Sequence, residues 1–227
     1  LSLSFKGGAS LDAPGKRGAT SLMTALLEEG AGEMNSVQFA EAVEGLGARL
    51  DFDAGDDSLI VSARALTENR DQAAELLRLA LTEPRFDADA VGRVRGQLQS
   101  VIRNEATDPE AIAAKELARQ AWGDHPYATS VNGTAESVAA LTRDDLIDAK
   151  NRILARDRVV VAAAGDISAA ELGALLDKIL GGLPEQGSAP LPQAAKLQLT
   201  GGVTVIDWES PQTVVTFAQP GLPISDP

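Results

Sequence analysis

The sequence of 227 residues carries a formal net charge of −13 and has a sequence pI of about 4.5. Such a field repels phosphate backbones and anionic lipid, which argues against binding to nucleic acid or to a membrane surface. Because cysteine is absent, neither a disulfide nor a thiolate metal site can form. The absence of cysteine fits bacterial cytoplasm and periplasm equally, so the compartment in which the protein acts stays open.

The N-terminal part of the chain predicts strands and helices. Leu1, Leu3 and Phe5 alternate with two serines, which is typical of a half-buried strand. Apolar spacing, glycine stops and turn residues then predict, in chain order, a helix over 20–29, a helix capped by Ser36, strands over 50–54 and 59–65, a helix over 69–82, and a longer helix from about Asp87.

Cap residues mark three further helices. Asp108-Pro109-Glu110 supplies an N-cap, a proline at the first helical position and an acid in the first turn of a helix that ends near Trp122. Thr142 begins another helix, and residues 168–171 form a capping box for the third. Between these last two helices, the apolar run 159–164 predicts a strand that is covered on both faces.

The composition changes after residue 182. Residues 183–198 contain Gly, Pro, Gln and Ala without periodicity, as expected of a linker. We predict a first domain over 1–182, a linker over 183–198 and the beginning of a second domain over 199–227, with strands over 203–207 and 213–217. The strand, glycine turn, acid and proline that follow Phe5 recur after Phe217, which indicates a duplicated domain. Since the chain opens at Leu1 without methionine and stops at Pro227, we expect a fragment of a longer protein.

Histidine is scarce among the residues that could carry chemistry. His125 is the only one, so a site with two or more histidines cannot be built from this chain alone. It lies in Trp122-Gly123-Asp124-His125-Pro126-Tyr127, which favours a structural turn between helices; a general base or a lone metal ligand is the alternative. No nucleophile elbow, phosphate-binding loop or dinucleotide fingerprint is present.

Carboxylates are plentiful but not arranged in a known site. Asp51, Asp53, Asp56 and Asp57 are best interpreted as solvated strand and turn residues. An oxygen-only site for Ca²⁺ or Mg²⁺ around these four residues stays open as an alternative, although the spacing is not that of an EF-hand.

Three stretches together resemble one family. Residues 123–127 with 133–146 read GDHPY and GTAESVAALTRDDL, residues 159–167 read VVVAAAGDI, and the opening strand is followed by Gly8, Asp12, Pro14, Gly15 and Gly18. In this order they are similar to segments of the M16 (insulinase-like, inverzincin) metallopeptidase family, from Leu1 to about Leu183.

In active members of that family, a helix carries H-x-x-E-H, whose two histidines hold zinc while the glutamate acts as general base. Aligned from Gly18, these three positions are Ser21, Thr24 and Ala25. The family's third ligand, a glutamate, falls in the window 99–102, which reads Gln-Ser-Val-Ile; Glu105 is about one turn away. The resemblance therefore implies a degenerate motif with no catalytic residue, no metal and no cofactor.

The same resemblance implies a substrate-binding strand. Residues 51–54, Asp-Phe-Asp-Ala, match the place where active members carry an Asn-Ala-x-Thr edge that pairs with substrate. The side chains are altered here, whereas main-chain pairing would survive the change.

The implied fold is α+β, with a mixed, mostly antiparallel sheet covered by helices. The implied function is that of a non-catalytic subunit of a heterodimeric zinc peptidase, which pairs with a catalytic subunit carrying H-x-x-E-H and helps to enclose a peptide substrate. Two alternatives stay open: a purely structural or binding homologue, like the core subunits of the respiratory bc1 complex, and a hydrolase with an unrecognised site.

Overall fold

A four-stranded antiparallel sheet with helices on one face forms the centre of the structure, which is a computed structural model describing residues 1–222. The strands are β1 (Ser2–Lys6), β2 (Gly30–Ala31), β3 (Met34–Asn35), β4 (Arg49–Ala54), β5 (Ser58–Arg64) and β6 (Val159–Ala162). The helices are α1 (Ala19–Ala25), α2 (Ser36–Gly45), α3 (Arg70–Thr82), α4 (Ala88–Glu105), α5 (Pro109–Trp122), α6 (Ala135–Ala139), α7 (Arg143–Ile153) and α8 (Ala169–Leu180).

The strand order in the sheet is β4-β5-β1-β6, and each recorded pair is antiparallel. Leu3 of β1 lies opposite Val61 of β5 and Val161 of β6. β2 and β3 form a separate short hairpin. The α+β class and the mostly antiparallel sheet predicted from the sequence are confirmed, and β4 and β6 are the two edges.

Alternation along the strands divides the sheet into a core face and an open face. Leu3, Phe5, Leu59 and Val61 are fully buried beneath the helices. On the other face, Val160 of β6 is 57% exposed. The expectation that the run 159–164 is covered on both faces is therefore wrong, because β6 is an edge strand with helices on one side only.

Local capping residues set the helix starts. The side chain of Ser168 completes a capping box, and Asp108 accepts a hydrogen bond from the Glu110 amide, as predicted. Thr142, predicted as the start of a helix, forms a capping box with Asp145. The cap of α2 is Asn35 rather than Ser36, because the Asn35 side chain accepts from the Gln38 amide and the Gln38 side chain bonds back.

The strands predicted over 203–207 and 213–217 are wrong: the described part of the chain beyond residue 198 contains no strand. Val203 is 92% exposed and Phe217 is 86% exposed. The segment lies along α5, where the Gln120 side chain donates to the Thr204 hydroxyl at 2.8 Å, and two short strands without further strands are only marginally stable in water. Residues 223–227, where the repeat after Phe217 ends, lie outside the described residues.

The start of the predicted linker is fastened to the domain. The amides of Arg156 and Asp157 donate to the carbonyls of Pro184 and Glu185 at 2.9 and 3.1 Å. The buried guanidinium of Arg158 donates to the carbonyl of Ala189. Further on, the Gln198 amide donates to the Ala121 carbonyl at 2.8 Å. The division into a domain over 1–182, a linker and a second domain stays a prediction.

Of the helices within residues 1–222, none combines the length and the hydropathy needed to cross a bilayer.

Two neighbouring residues of β5 test which face of the sheet is the core. Leu59→Ala should lower the free energy of unfolding by about 2–5 kcal/mol, because it leaves a cavity at a fully buried position. Ile60→Ala on the open face, where the side chain is 39% exposed, should cost less than about 1 kcal/mol. Urea unfolding of both variants measures the difference, and equal losses would contradict the one-sided core.

Candidate degenerate metal site

The carboxylate of Asp12 organises the start of α1. It accepts hydrogen bonds from the Gly18 amide at 2.9 Å, the Thr20 amide at 2.9 Å and the Thr20 hydroxyl at 2.7 Å. Burial raises the pKa of Asp12, while these hydrogen bonds and the nearby Arg17 act in the opposite direction. Gly18 is the N-cap, with φ of 94°, a conformation that glycine adopts without a side-chain clash.

Next to this cap, the guanidinium of Arg17 joins three loops around α1. It binds the Asp56 carboxylate at 2.6 Å in the β4–β5 turn, and the carbonyls of Ser130 and Thr129 at 3.0 and 3.1 Å. It also donates to the carbonyls of Ala9 and Pro126. The side chain is only 14% exposed, so these bonds are little weakened by competition from water.

The three degenerate motif positions lie on α1, directly after this hub. Ser21 is half-buried, and its hydroxyl donates to the carbonyl of Val131 at 2.7 Å. Thr24 is 3% exposed, and its hydroxyl has no hydrogen-bond partner within residues 1–222. Ala25 presents a methyl group on the exposed surface one turn after Ser21.

The nearest carboxylate on α4 is engaged elsewhere. Glu105 accepts from the Asn132 side-chain amide at 2.6 Å and from the Ser130 hydroxyl at 3.2 Å. Since Ser21 holds Val131, the loop 130–132 connects α1 to α4 through hydrogen bonds. A side chain on Gly133 would collide with the Arg17 carbonyl, so glycine is needed where the loop leaves this contact.

His125, the only histidine, contacts Tyr127 in its own turn and Gln193, which lies 68 positions further along the chain. The Nδ1 atom of His125 accepts from the Tyr127 amide at 3.3 Å, and its Nε2 atom lies 3.4 Å from the Gln193 carbonyl oxygen. The imidazole packs edge-on against the Tyr127 ring, with centroids 4.3 Å apart. These contacts are those of the structural turn that the sequence favoured.

Three of the four aspartates of the β4–β5 hairpin have separate partners, and the four share no common centre. Asp51 pairs with Arg49 at 2.9 Å, Asp56 with Arg17, and Asp57 accepts from the Tyr127 hydroxyl at 2.5 Å. Across residues 1–222, no three His, Cys, Asp or Glu side chains are grouped so that they could hold a metal ion. The oxygen-only metal site considered from the sequence therefore has no geometric support.

The outer edge of β4 is open. The Gly55 amide bonds the Ser58 carbonyl at 2.8 Å, so the alternate residues Asp53, Asp51 and Arg49 exchange hydrogen bonds with β5. The amides and carbonyls of Leu50, Phe52 and Ala54 consequently point away from the sheet, and no backbone partner meets them among the described residues.

A helix at the position of the expected metal motif, a second helix linked to it by a loop, and an open edge strand beside them have the layout that the resemblance to a metallopeptidase family implies. Family comparison agrees with this layout. The model of the insulinase family, peptidase family M16, matches residues 1–135, and that of the peptidase M16 inactive domain matches residues 140–227. The chain belongs to the M16 family.

Individual relatives support the same membership. The chain is 28% identical over 189 residues to the non-peptidase homolog YmxG of Helicobacter pylori, covering 83% of this chain and 44% of that protein. It is 29% identical over 186 residues to the "Probable mitochondrial-processing peptidase subunit beta" of Schizosaccharomyces pombe, covering 79% and 40%. Other relatives, from Mycobacterium bovis and Mycobacterium leprae, carry the name uncharacterized zinc protease.

A solved structure from Pseudomonas fluorescens, described as a peptidase M16 inactive domain, superposes with a TM-score of 0.79 at 29% identity. The match covers 85% of this chain and 47% of that one. The chain thus spans about half the length of the relatives that it matches.

The sequence did not indicate a role for Arg17. Its side chain nevertheless joins more loops than the side chain of any motif position does. The only signal was a basic residue between Gly15 and Gly18, in a segment already matched to the family. Its partners are mostly backbone carbonyls, which no side-chain pattern reveals.

Arg17 and its neighbour Lys16 allow a matched test of the hub. Arg17→Met should lower the free energy of unfolding by about 2–4 kcal/mol, because it leaves partly buried carbonyls and the Asp56 carboxylate without their donor. Lys16→Met removes one partly exposed ion pair with Asp145 and should cost less than about 1 kcal/mol. Thermal or urea unfolding gives both values; an Arg17→Met loss no larger than that of Lys16→Met would rule out the hub.

The single tyrosine reports on the β4–β5 turn. Burial, followed by the hydrogen bond and the charge of Asp57, raises the pKa of Tyr127 to about 12. Since the unfolded value is about 10, the folded state loses stability as the pH rises from about 10 to about 12. An absorbance titration of the folded protein should therefore have its midpoint near 12, and Asp57→Asn should lower it. Circular dichroism at each pH checks that the protein is folded, and an unchanged midpoint in the variant would exclude Asp57 as a cause.

Proposed function

We propose that this chain is a non-catalytic subunit of a heterodimeric M16-type zinc peptidase, in which it helps to form the peptide-binding chamber. One observation carries the proposal: the positions of the two histidines and the general base are occupied by Ser21, Ala25 and Thr24. The only histidine of the chain is held in the turn before Tyr127.

The residues present do not fit a catalytic zinc ion. Such sites use three protein ligands, commonly histidines with a carboxylate, and leave one position for water. Here the helix offers a hydroxyl that is bound to Val131, a buried hydroxyl and a methyl group. The nearest carboxylate, Glu105, receives two hydrogen bonds from the loop 130–132.

The features that remain are those of a chamber wall. The sheet, the helix layer and the free edge of β4 are all present, so an extended peptide can still pair with the main chain of β4. A complete site then requires a second M16 subunit that carries H-x-x-E-H. Two observations on relatives support this reading: one is named a non-peptidase homolog, and another is named as a subunit of a processing peptidase.

Two measurements test the proposal. Purified protein should contain less than about 0.1 zinc per chain, because the ligand set is missing. Co-expression with an M16 protein that carries H-x-x-E-H and is encoded beside this chain should give a complex that cleaves peptides at least about ten-fold faster than that protein alone.

The controls are the partner with its motif glutamate replaced by glutamine, which should be inactive with or without this chain, and the partner mixed with an unrelated acidic protein. Stoichiometric zinc in this chain, or cleavage by it alone, would overturn the proposal. Stable association with an assembly that has no peptidase would favour the structural homologue instead.

A further inference from the structure

The loop between α5 and α6 contains the only Asn-Gly pair of the sequence, Asn132-Gly133. This pair is prone to lose the side-chain amide, because glycine has no side chain that would hinder the approach of its own peptide nitrogen. The peptide nitrogen of Gly133 attacks the side-chain carbonyl carbon of Asn132, a cyclic imide forms, and the side-chain nitrogen leaves as ammonia with the proton of the peptide group. Water then opens the imide at either carbonyl and gives aspartate or isoaspartate.

Glycine is required at position 133 by the backbone around it. Gly133 has φ of 76°, in the region that favours glycine, and a side chain there would collide with the carbonyl of Arg17. The carbonyl of Asn132 lies as closely against Gly18, where a Cβ atom would also collide with it. The reactive pair therefore follows from the fit between this loop and the start of α1, which a larger residue after Asn132 would disturb.

In the folded protein both reacting groups are engaged in hydrogen bonds. The side-chain amide of Asn132 donates to the Glu105 carboxylate at 2.6 Å. The Gly133 amide donates to the Ser130 carbonyl at 3.0 Å, and the same carbonyl accepts from the Arg17 guanidinium at 3.0 Å. Because the peptide nitrogen is directed to Ser130 and the side chain to α4, the imide can close only after the loop has opened locally.

The product of the reaction does not fit the position of the asparagine. An aspartate at position 132 would present a carboxylate to Glu105 where the amide donated a hydrogen bond, and two carboxylates so close together repel each other. Isoaspartate would in addition lengthen the main chain of a tightly packed loop. The Val131 carbonyl, which holds Ser21, belongs to the same loop, so the connection between α1 and α4 would be lost at its α4 end.

We propose that Asn132 is a site of spontaneous deamidation, that its contact with Glu105 protects it in the folded state, and that its conversion permanently releases α4 from the loop 130–132. The modification needs no enzyme and only water as the second reactant. It concerns the residues around the degenerate motif and involves neither peptide binding nor cleavage, so it is independent of the proposed function.

The first experiment measures the rate of deamidation in the intact chain. The protein is incubated in mildly alkaline buffer, folded or in urea, and the deamidated peptide that contains Asn132 is quantified by mass spectrometry. The folded protein should react at least about ten-fold more slowly than the unfolded protein, because opening the loop breaks a hydrogen bond to a charged group. For the same reason, Glu105→Ala should accelerate the reaction of the folded protein about ten-fold.

Three controls separate the protection from other effects of the substitution. In urea, Glu105→Ala and the unaltered protein should react equally fast, which excludes a direct chemical role of the carboxylate. In the folded state, Asn35, which precedes Ser36 at the cap of α2, should react no faster in the variant, because global unfolding would accelerate both sites. Glu105→Gln keeps an acceptor oxygen and should restore part of the protection.

The second experiment measures what the modification does to stability. Asn132→Asp imitates the product and should lower the melting temperature by about 4–8 °C, since it removes a hydrogen bond to a charged group and adds a repulsion. Asn132→Ser cannot deamidate, adds no charge and should have a smaller effect. Asn132→Asp combined with Glu105→Gln exchanges the two groups, so that an amide again faces a carboxylate, and it should recover about half of the loss or more.

Equal rates in the folded and unfolded protein, or no acceleration by Glu105→Ala, would overturn the protection by Glu105. Absence of deamidation at Asn132 in urea would overturn the site itself. An Asn132→Asp protein as stable as Asn132→Ser, or an exchange variant that recovers nothing, would overturn the release of α4 by repulsion.

Discussion

The position of α1 depends on two ionic side chains that precede it. The Asp12 carboxylate binds the first amides of the helix, and the Arg17 guanidinium ties the same segment to the β4–β5 turn and to the loop after α5. Both groups are largely shielded from water, where a hydrogen bond to a charged group contributes more than at the surface. Because the loop 130–132 is held from this hub, the contacts of Ser21 and Glu105 depend on it as well.

The helix on which the family resemblance places the metal motif, α1, is tied to the end of α4 through the loop 130–132. The connection consists of hydrogen bonds, each contributing about 1 kcal/mol. Ser21 donates to the Val131 carbonyl on one side, and Asn132 and Ser130 donate to the Glu105 carboxylate on the other. These neutral and singly charged contacts hold α1 and the end of α4 in place, and the edge of β4 stays open beside them.

The sequence predicted those parts of the structure that local chemistry decides. The start at Ser168 followed from a capping box with Glu171, three positions further on, and the start at Thr142 from the helical apolar pattern that follows it. The open face of β6 could not be predicted, since an apolar run looks the same whether one or both of its faces are covered. The strands predicted after residue 198 are wrong, because a segment with strand propensity forms a strand only beside a partner strand. The described residues provide no partner strand there. Among site residues, the family pattern located Ser21, Thr24 and Ala25, whereas the role of Arg17 lies in contacts with backbone carbonyls more than a hundred residues away.

Hydrogen bonds at both ends of residues 184–198 determine where the chain after α8 leaves the domain. The composition of this stretch is that of a flexible linker. Even so, the amides of Arg156 and Asp157 donate to the carbonyls of Pro184 and Glu185, and the Gln198 amide donates to the Ala121 carbonyl at the end of α5. A segment that is hydrogen-bonded to the domain at both ends cannot extend as a free linker would. The chain after Gln198 therefore starts beside the last turn of α5, and not beside α8, which precedes it in sequence. Its position is set by α5.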